Sequence, residues 1–515
     1  MRRLSGAWLM ALCSVTSLGA AAGGGTGVEI IDAVKAGNRA AVAALLKQPN
    51  GVNTPEEDGT TALHWAVRAD DREMAQQLLR AGADAKAANR YGIQPLTLAA
   101  TNGNADMIEL LLQAGADPNA ALPDAGETAL MTAARTGKVE PLQVLLAHGA
   151  SVNARESEFG ETALIWAAVE NHAAAAQVLI EHGADKNVRS ARPTQRSRGR
   201  GLPQGEWTPL MYAARQGALA AARTLADAGA DLNLTAPDRS TALVLAIINA
   251  HYDLAAMLLE NGADPNLADS TGMAALYAAV DMHTLAWAIG RAAPKPSDQL
   301  DSLDVIRMLL ARGADPNAKL KARKLPRGQS PGDPDLGEGT TPLMRAAKTG
   351  DMVVMRLLLD HGADPSARQK NGTTLFMIAA GMGWKGGFET NRHRGTEAGA
   401  IEAMKLCLEL GAEVNAVNDD QQTALHGAIG RGESVLEFLV KQGADLQARD
   451  KRGRTPLALA ITTRDFDIDT DHVGPEVRER AVAVLQRLEG GTITRPDQPG
   501  QAVSVPPPAV RESAR

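Results

Sequence analysis

The chain has 515 residues, of which 44% are hydrophobic, 22% charged and only 3% aromatic, and its formal net charge is −7. That length would suit about three globular domains. The acidic balance and the scarcity of rings argue against a general nucleic-acid binder, which needs a basic face and stacking platforms.

The first elements form a leader. Arg2 and Arg3 make a basic start, Leu4 to Leu18 is moderately apolar, and Ala20-Ala21-Ala22 supplies small residues for cleavage. Residues 1–22 are therefore expected to be a cleaved signal peptide. The apolar run is too short and too interrupted to span a bilayer, and no later stretch suits an integral membrane segment. Leu12 before Cys13 counts against lipidation. With Cys13 removed, Cys407 is left alone, so no intrachain disulfide or thiolate metal site is expected. Cys407 lies in an apolar helical run and reads as a small hydrophobe.

A phrase built on Thr-Pro-Leu then recurs at intervals near 33 residues. It begins at Thr61, Gln94, Thr128, Thr162, Thr208, Thr241, Ala274, Thr341, Thr374, Thr423 and Thr455. A fixed period of this length signals a solenoid, in which each unit packs on its neighbours and the chain offers a long surface. Within residues 93–126, Pro95 presets a first helix and Gly103 ends it. Met107, Leu110, Leu111 and Leu112 recur at helical spacing, and Gly115 supplies a left-handed cap. The Gly-Ala-Asp turn returns at Gly82, Gly115, Gly183, Gly229, Gly262, Gly313, Gly362 and Gly443.

The Thr-Pro-Leu-His phrase, the helix-turn-helix and the Gly-Ala-Asp cap together closely resemble the ankyrin repeat family, over residues 28–490. The resemblance implies an all-α ankyrin-repeat solenoid of about twelve helix-turn-helix units with short finger loops. It implies a protein-binding module in which exposed positions of each first helix line a concave groove. Residues 28–60 read as a degenerate first unit and 454–490 as a closing one.

The period fails three times. The spacing rises to 46 between Thr162 and Thr208, to 67 between Ala274 and Thr341, and to 49 between Thr374 and Thr423. Insertion 190–206 enlarges a finger and carries Arg192, Arg196, Arg198 and Arg200, ending at Trp207. Insertion 290–300 lengthens a turn between helices. Insertion 319–338 enlarges a second finger with Lys319, Lys321, Arg323, Lys324 and Arg327. Insertion 381–397 again lies between two helices. The two basic fingers read either as solvated loops or as clamps for an acidic partner.

Counting seven residues from each phrase start gives Arg68, Thr101, Arg135, Val169, Arg215, Ile248, Asp281, Lys348, Gly381, Gly430 and Thr462, with Arg431 next along. The basic members of this row read as an exposed stripe suited to an acidic surface. An ordinary polar helix face is the alternative. Trp166 and Tyr212 are expected to anchor a partner beside Arg135 and Arg215.

Most histidines fall at repeated positions and read as local hydrogen-bonders. No phosphate loop, nucleophile elbow or dinucleotide fingerprint is present. Asp465, Asp467, Asp469, Asp471 and Glu476 match the ligand spacing of a calcium loop. Thr470 replaces its turn glycine, and the stretch reads equally as a turn between helices. Residues 491–515 are proline-rich and aperiodic, and are expected to be a disordered tail. The resulting expectation is a non-catalytic, cofactor-free and monomeric scaffold, exported to the periplasm or exterior, that binds a protein with an acidic surface. It is not expected to bind nucleic acid or a structural metal. The alternative is a binder of calcium or an anionic polymer, through the 465–476 loop or the arginine-rich fingers.

Overall fold

The computed structural model describes residues 26–48, 51–192, 205–284, 297–322, 336–383, 395–462 and 475–490. The expected leader 1–22 and the expected tail 491–515 lie outside the described residues. By contacts the chain divides into two compact units, Met1–Ala154 and Arg155–Arg515.

The described residues of the first unit form four antiparallel helix pairs. They are α1 (Thr26–Lys35) with α2 (Arg39–Leu45), α3 (Ala62–Arg68) with α4 (Arg72–Arg80), α5 (Pro95–Asn102) with α6 (Ala105–Gln113), and α7 (Ala129–Thr136) with α8 (Val139–Ala147). The described residues of the second form eight. These are α9 (Ala163–Val169) and α10 (Ala173–Glu181), α11 (Pro209–Gln216) and α12 (Leu219–Asp227), α13 (Ala242–Ile248) and α14 (Tyr252–Glu260), and α15 (Ala275–Thr284) and α16 (Ser302–Ala311). Then come α17 (Pro342–Thr349) and α18 (Met352–Asp360), α19 (Leu375–Ala380) and α20 (Glu397–Glu409), α21 (Ala424–Gly427) and α22 (Glu433–Lys441), and α23 (Pro456–Thr462) and α24 (Pro475–Leu488). Among the described residues the regular structure is helical, apart from three isolated β-bridges at finger bases. The twelve pairs match the number the repeat implies.

The phrase works as a helix start. Its threonine sits just before the first helix with extended backbone, and its hydroxyl accepts the amide three residues on, as Thr128 does from Met131 and Thr208 from Met211. Such a cap satisfies one of the four orphan amides of a helix N-terminus. Where histidine follows, the cap is doubled. His64 Nδ1 accepts the Thr61 amide at 3.1 Å, while Nε2 reaches the Ile93 carbonyl in the next finger at 3.0 Å. His426 repeats this with Thr423 and the Arg454 carbonyl.

The Gly-Ala-Asp turn ends most of the second helices. The Ala83 amide returns to Leu78 O and the Gly82 amide to Leu79 O, closing the last turn. This needs a left-handed residue, and Gly82 has φ 87°. The following alanine is buried at the seam, and the aspartate carboxylate accepts the amide two residues on, as Asp84 does from Lys86 at 2.8 Å. An asparagine then stitches the turn to that of the next pair. Asn266 Nδ2 donates to Gly313 O at 2.9 Å and its Oδ1 accepts the Asp315 amide at 2.7 Å. Asn53, Asn119, Asn317 and Asn415 make the same two bonds.

Several neighbouring fingers are linked side by side through an amide-to-carbonyl bond, as from Lys321 to Thr271 and from Lys370 to Glu338. The enlarged fingers keep closed stems. Ser190 N donates to Trp207 O and Glu206 N to Ser190 O; Leu320 N donates to Thr340 O and Gly339 N to Leu320 O. The stems of these two fingers therefore keep the bonding of the repeat. Leucines such as Leu63, Leu96 and Leu130 on first helices, and Leu78, Leu111 and Leu145 on second helices, fill the seam and are fully buried. Truncating one to alanine costs about 2–5 kcal/mol.

At 397–409 the frame is longer than the repeat requires. Helix α20 begins at Glu397, the last residue assigned to an insertion by spacing. Its carboxylate accepts the Ser434 amide at 2.8 Å, at the start of α22. Gly432, at φ 136°, leaves room for it; a Cβ there would lie 2.2 Å from Glu397 Cδ.

Candidate functional site

The fourth and seventh residues after the cap share one face of each first helix, because side chains three apart on a helix are neighbours. In the first unit this face holds Trp65 and Arg68 on α3. Trp65 Nε1 donates to Glu56 Oε2 at 2.7 Å, and Lys35 at the end of α1 pairs with the same carboxylate. The Lys35 ammonium lies 4.5 Å from the centre of the Trp65 ring and the Arg68 guanidinium 5.2 Å from it. Arg68 is exposed and Arg135 half-buried.

In the second unit the same face is richer. Trp166 on α9 is half-buried and donates through Nε1 to Glu161 Oε2 at 3.0 Å. On α11, Tyr212 and Arg215 are half-buried. Tyr212 meets Trp207 edge-to-face, with centroids 5.5 Å apart at 62°. The Arg215 guanidinium lies 5.4 Å from the Trp207 centroid. The Tyr212 hydroxyl oxygen lies 3.3 Å from Ser190 Oγ.

Burial, with Glu156 and Glu158 nearby, raises the Glu161 pKa against the hydrogen bonds from Tyr212 and Trp166. Burial and the Glu161 charge push the Tyr212 phenol far up, so it stays a donor. Burial also holds the Arg215 guanidinium below its ordinary value. The surface is thus a half-open aromatic patch with a carboxylate at one side and a cation at the other. Its chemistry suits recognition by packing and charge.

Three residues expected to touch a partner are sealed inside. Trp207 is 4% exposed, because its backbone and the Ser190 side chain close the finger stem over it; its amide donates to Ser190 Oγ at 3.1 Å. Lys348 is 5% exposed, since α17 packs among α15, α18, α19 and α20. Arg431 is 7% exposed, following a short 3-10 turn against α24 and lying close to Gly381. The expected exposed basic stripe is corrected at Lys348 and Arg431, and the expected finger contact at Trp207.

Of the finger residues, Lys319 and Lys321 are exposed, and Arg192 pairs with Glu206 at 2.6 Å across its own stem. Arg196, Arg198, Arg200, Arg323, Lys324 and Arg327 lie outside the described residues. So do Asp465, Asp467, Asp469 and Asp471, while Glu476 is exposed in the first turn of α24. Among the described residues no group of three or more histidine, cysteine or acidic side chains is placed to hold a metal, and no helix is long and apolar enough to cross a membrane.

Two arrangements escaped the sequence reading. Asp281 and Arg345 form a buried ion pair between α15 and α17, with Nε 2.6 Å from Oδ1. The sequence signal was an arginine at the fourth position after Thr341, where no other unit carries a charge. Nearby, Ser302 Oγ meets His283 Nδ1 at 2.8 Å, and His283 Nε2 lies 3.2 Å from Asp351 Oδ2. Asp351 also caps α18 by accepting the Val354 amide, so this string ties three helix ends together. Burial would raise the Asp351 pKa, but the His283 and Val354 hydrogen bonds outweigh it and the net shift is down.

A family model described as ankyrin repeats (three copies) matches residues 30–121, 120–190, 210–320, 299–386 and 393–468. No curated protein matches the chain.

Proposed function

Since the chain belongs to the ankyrin repeat family, we propose that it is a non-catalytic scaffold whose second unit captures another protein on the face carried by α9 and α11. Ankyrin repeats are generally protein–protein interaction modules, so the class of function follows from membership, and the surface is the part proposed here. The observation that carries it is the half-open group of Trp166, Tyr212 and Arg215. Large rings with few rotatable bonds lose little entropy on contact, and tryptophan, tyrosine and arginine dominate binding hot spots. The fixed backbone beneath them, capped at Thr162 and Thr208, favours a preorganised surface.

The proposal includes an acidic partner surface, supported by Arg68, Arg215, Lys319 and Lys321. It also includes export, supported by the basic start, apolar run and small-residue site of residues 1–22. Fusing residues 1–22 to a reporter and locating it in cell fractions tests the second element; retention in the cytoplasm would reject it.

Partner capture is tested by crosslinking pulldown with the full chain and with a Trp166→Ala/Tyr212→Ala variant. The expected result is loss of a specific partner from the variant, with its thermal unfolding preserved. An identical partner set would reject this face.

A further inference from the structure

We infer that Arg215, carried on Trp207, is the point at which this surface receives a side-chain carboxylate of an acidic partner polypeptide. The inference rests on the reading that the α9 and α11 face binds a partner, and it names the chemistry of that contact.

Arg215 is half-buried, yet no described carboxylate pairs with its guanidinium; its contact is the Trp207 ring at 5.4 Å, beside Tyr212. A partly desolvated cation without a counter-charge is costly, and burial accordingly holds its proton affinity down. A partner carboxylate would supply the missing charge through two parallel N–H···O bonds, the geometry to which the guanidinium fork is matched.

The platform beneath is built in advance. Trp207 is fixed by its amide to Ser190 Oγ and by the Ser190 amide to its carbonyl, and Tyr212 braces it edge-on. Stacking on a fixed ring restricts the long arginine side chain, so less entropy is lost when an anion arrives.

A single carboxylate is favoured over a phosphate. Tyr212 feels both Arg215 and Glu161, and Glu156 and Glu158 act on Glu161 in turn. One guanidinium fork matches one carboxylate, and repulsion from these neighbouring carboxylates weighs twice as heavily on a dianion as on a monoanion. The construction also recurs independently in the first unit. Arg68, seven residues after Thr61, is exposed and lies 5.2 Å over Trp65.

The test is fluorescence anisotropy with the full chain at low ionic strength. The probe is a short labelled peptide of alternating glutamate and leucine. Comparison peptides carry glutamine, lysine or phosphoserine in place of glutamate. The glutamate peptide is expected to bind best. Arg215→Met keeps the stem over Trp207 and removes the charge, and is expected to weaken binding roughly tenfold or more. Arg215→Lys keeps the charge without the fork and is expected to retain part of the affinity. Failure of the wild type to bind the glutamate peptide, equal binding by Arg215→Met, or stronger binding of the phosphoserine peptide would each overturn the inference.

In the pulldown, capture that survives Arg215→Met but not Trp166→Ala/Tyr212→Ala would reject the carboxylate contact and leave the binding face standing. Capture that survives both would reject the face itself.

Discussion

Arg345 Nε donates to Asp281 Oδ1 at 2.6 Å, with the two side chains 0% and 2% exposed. The pair joins α15 to α17 at the seventh and fourth positions after their phrase starts, the positions that carry Arg215 and Tyr212 on α11. It shows how the second unit differs along its length. Around α9 and α11 that face is half-open, whereas at α15 and α17 it is filled by a sealed ion pair.

Breaking this pair should be costly because the surviving charge stays buried. Arg345→Met is expected to destabilise the second unit by about 3–5 kcal/mol. Replacing both partners, as Asp281→Leu/Arg345→Met, should recover most of that loss. Urea unfolding, with hydrogen exchange read on Ala275–Thr284 and Pro342–Thr349, measures both. Additive losses in the double variant would mean that the two charges do not act as a pair.

The doubled caps make stability depend on pH. Burial lowers the pKa of His64 and of His426 from 6.5, against the Ile93 and Arg454 carbonyls that raise it. Each folded site binds protons more weakly than the unfolded chain. The stability they contribute is present above 6.5 and is lost as pH falls through that value toward the folded pKa. His64→Gln/His426→Gln is expected to unfold more readily at neutral pH and to show a flatter pH profile below 6.5. An unchanged profile would remove these histidines from the account.

Cys407 should behave as a core side chain. It is buried on α20, and burial pushes its thiol up to about 12. Iodoacetamide is expected to leave Cys407 unmodified in the folded protein at neutral pH and to alkylate it after denaturation, as read by peptide mass spectrometry. Rapid labelling without denaturant would contradict this placement.

The frame was legible because its signals are local. Thr128 precedes a helix and caps it; Gly82 follows one and takes a left-handed turn. Neither requires knowledge of distant residues. The surface was less legible because exposure depends on what neighbouring pairs cover. Lys348 and Arg215 hold the same place after their caps, yet α20 reaches α17 and Lys348 is sealed while Arg215 stays half-open. Trp207 read as the end of a loop because the Ser190 bonds that close the stem join residues 17 apart in sequence. The asparagine stitches from Asn266 and Asn317 were visible as recurring letters, but their partners lie a full unit away.

The central claim is that a partner is held on the α9 and α11 face, and site-specific photocrosslinking tests it most directly. A benzophenone amino acid is placed at Trp166, and in a second protein at Val353, which is 59% exposed on the second helix α18. The account predicts a discrete crosslinked species from position 166 and none from position 353. A species formed only from position 353, or from neither position when the intact chain pulls down its partner, would contradict it.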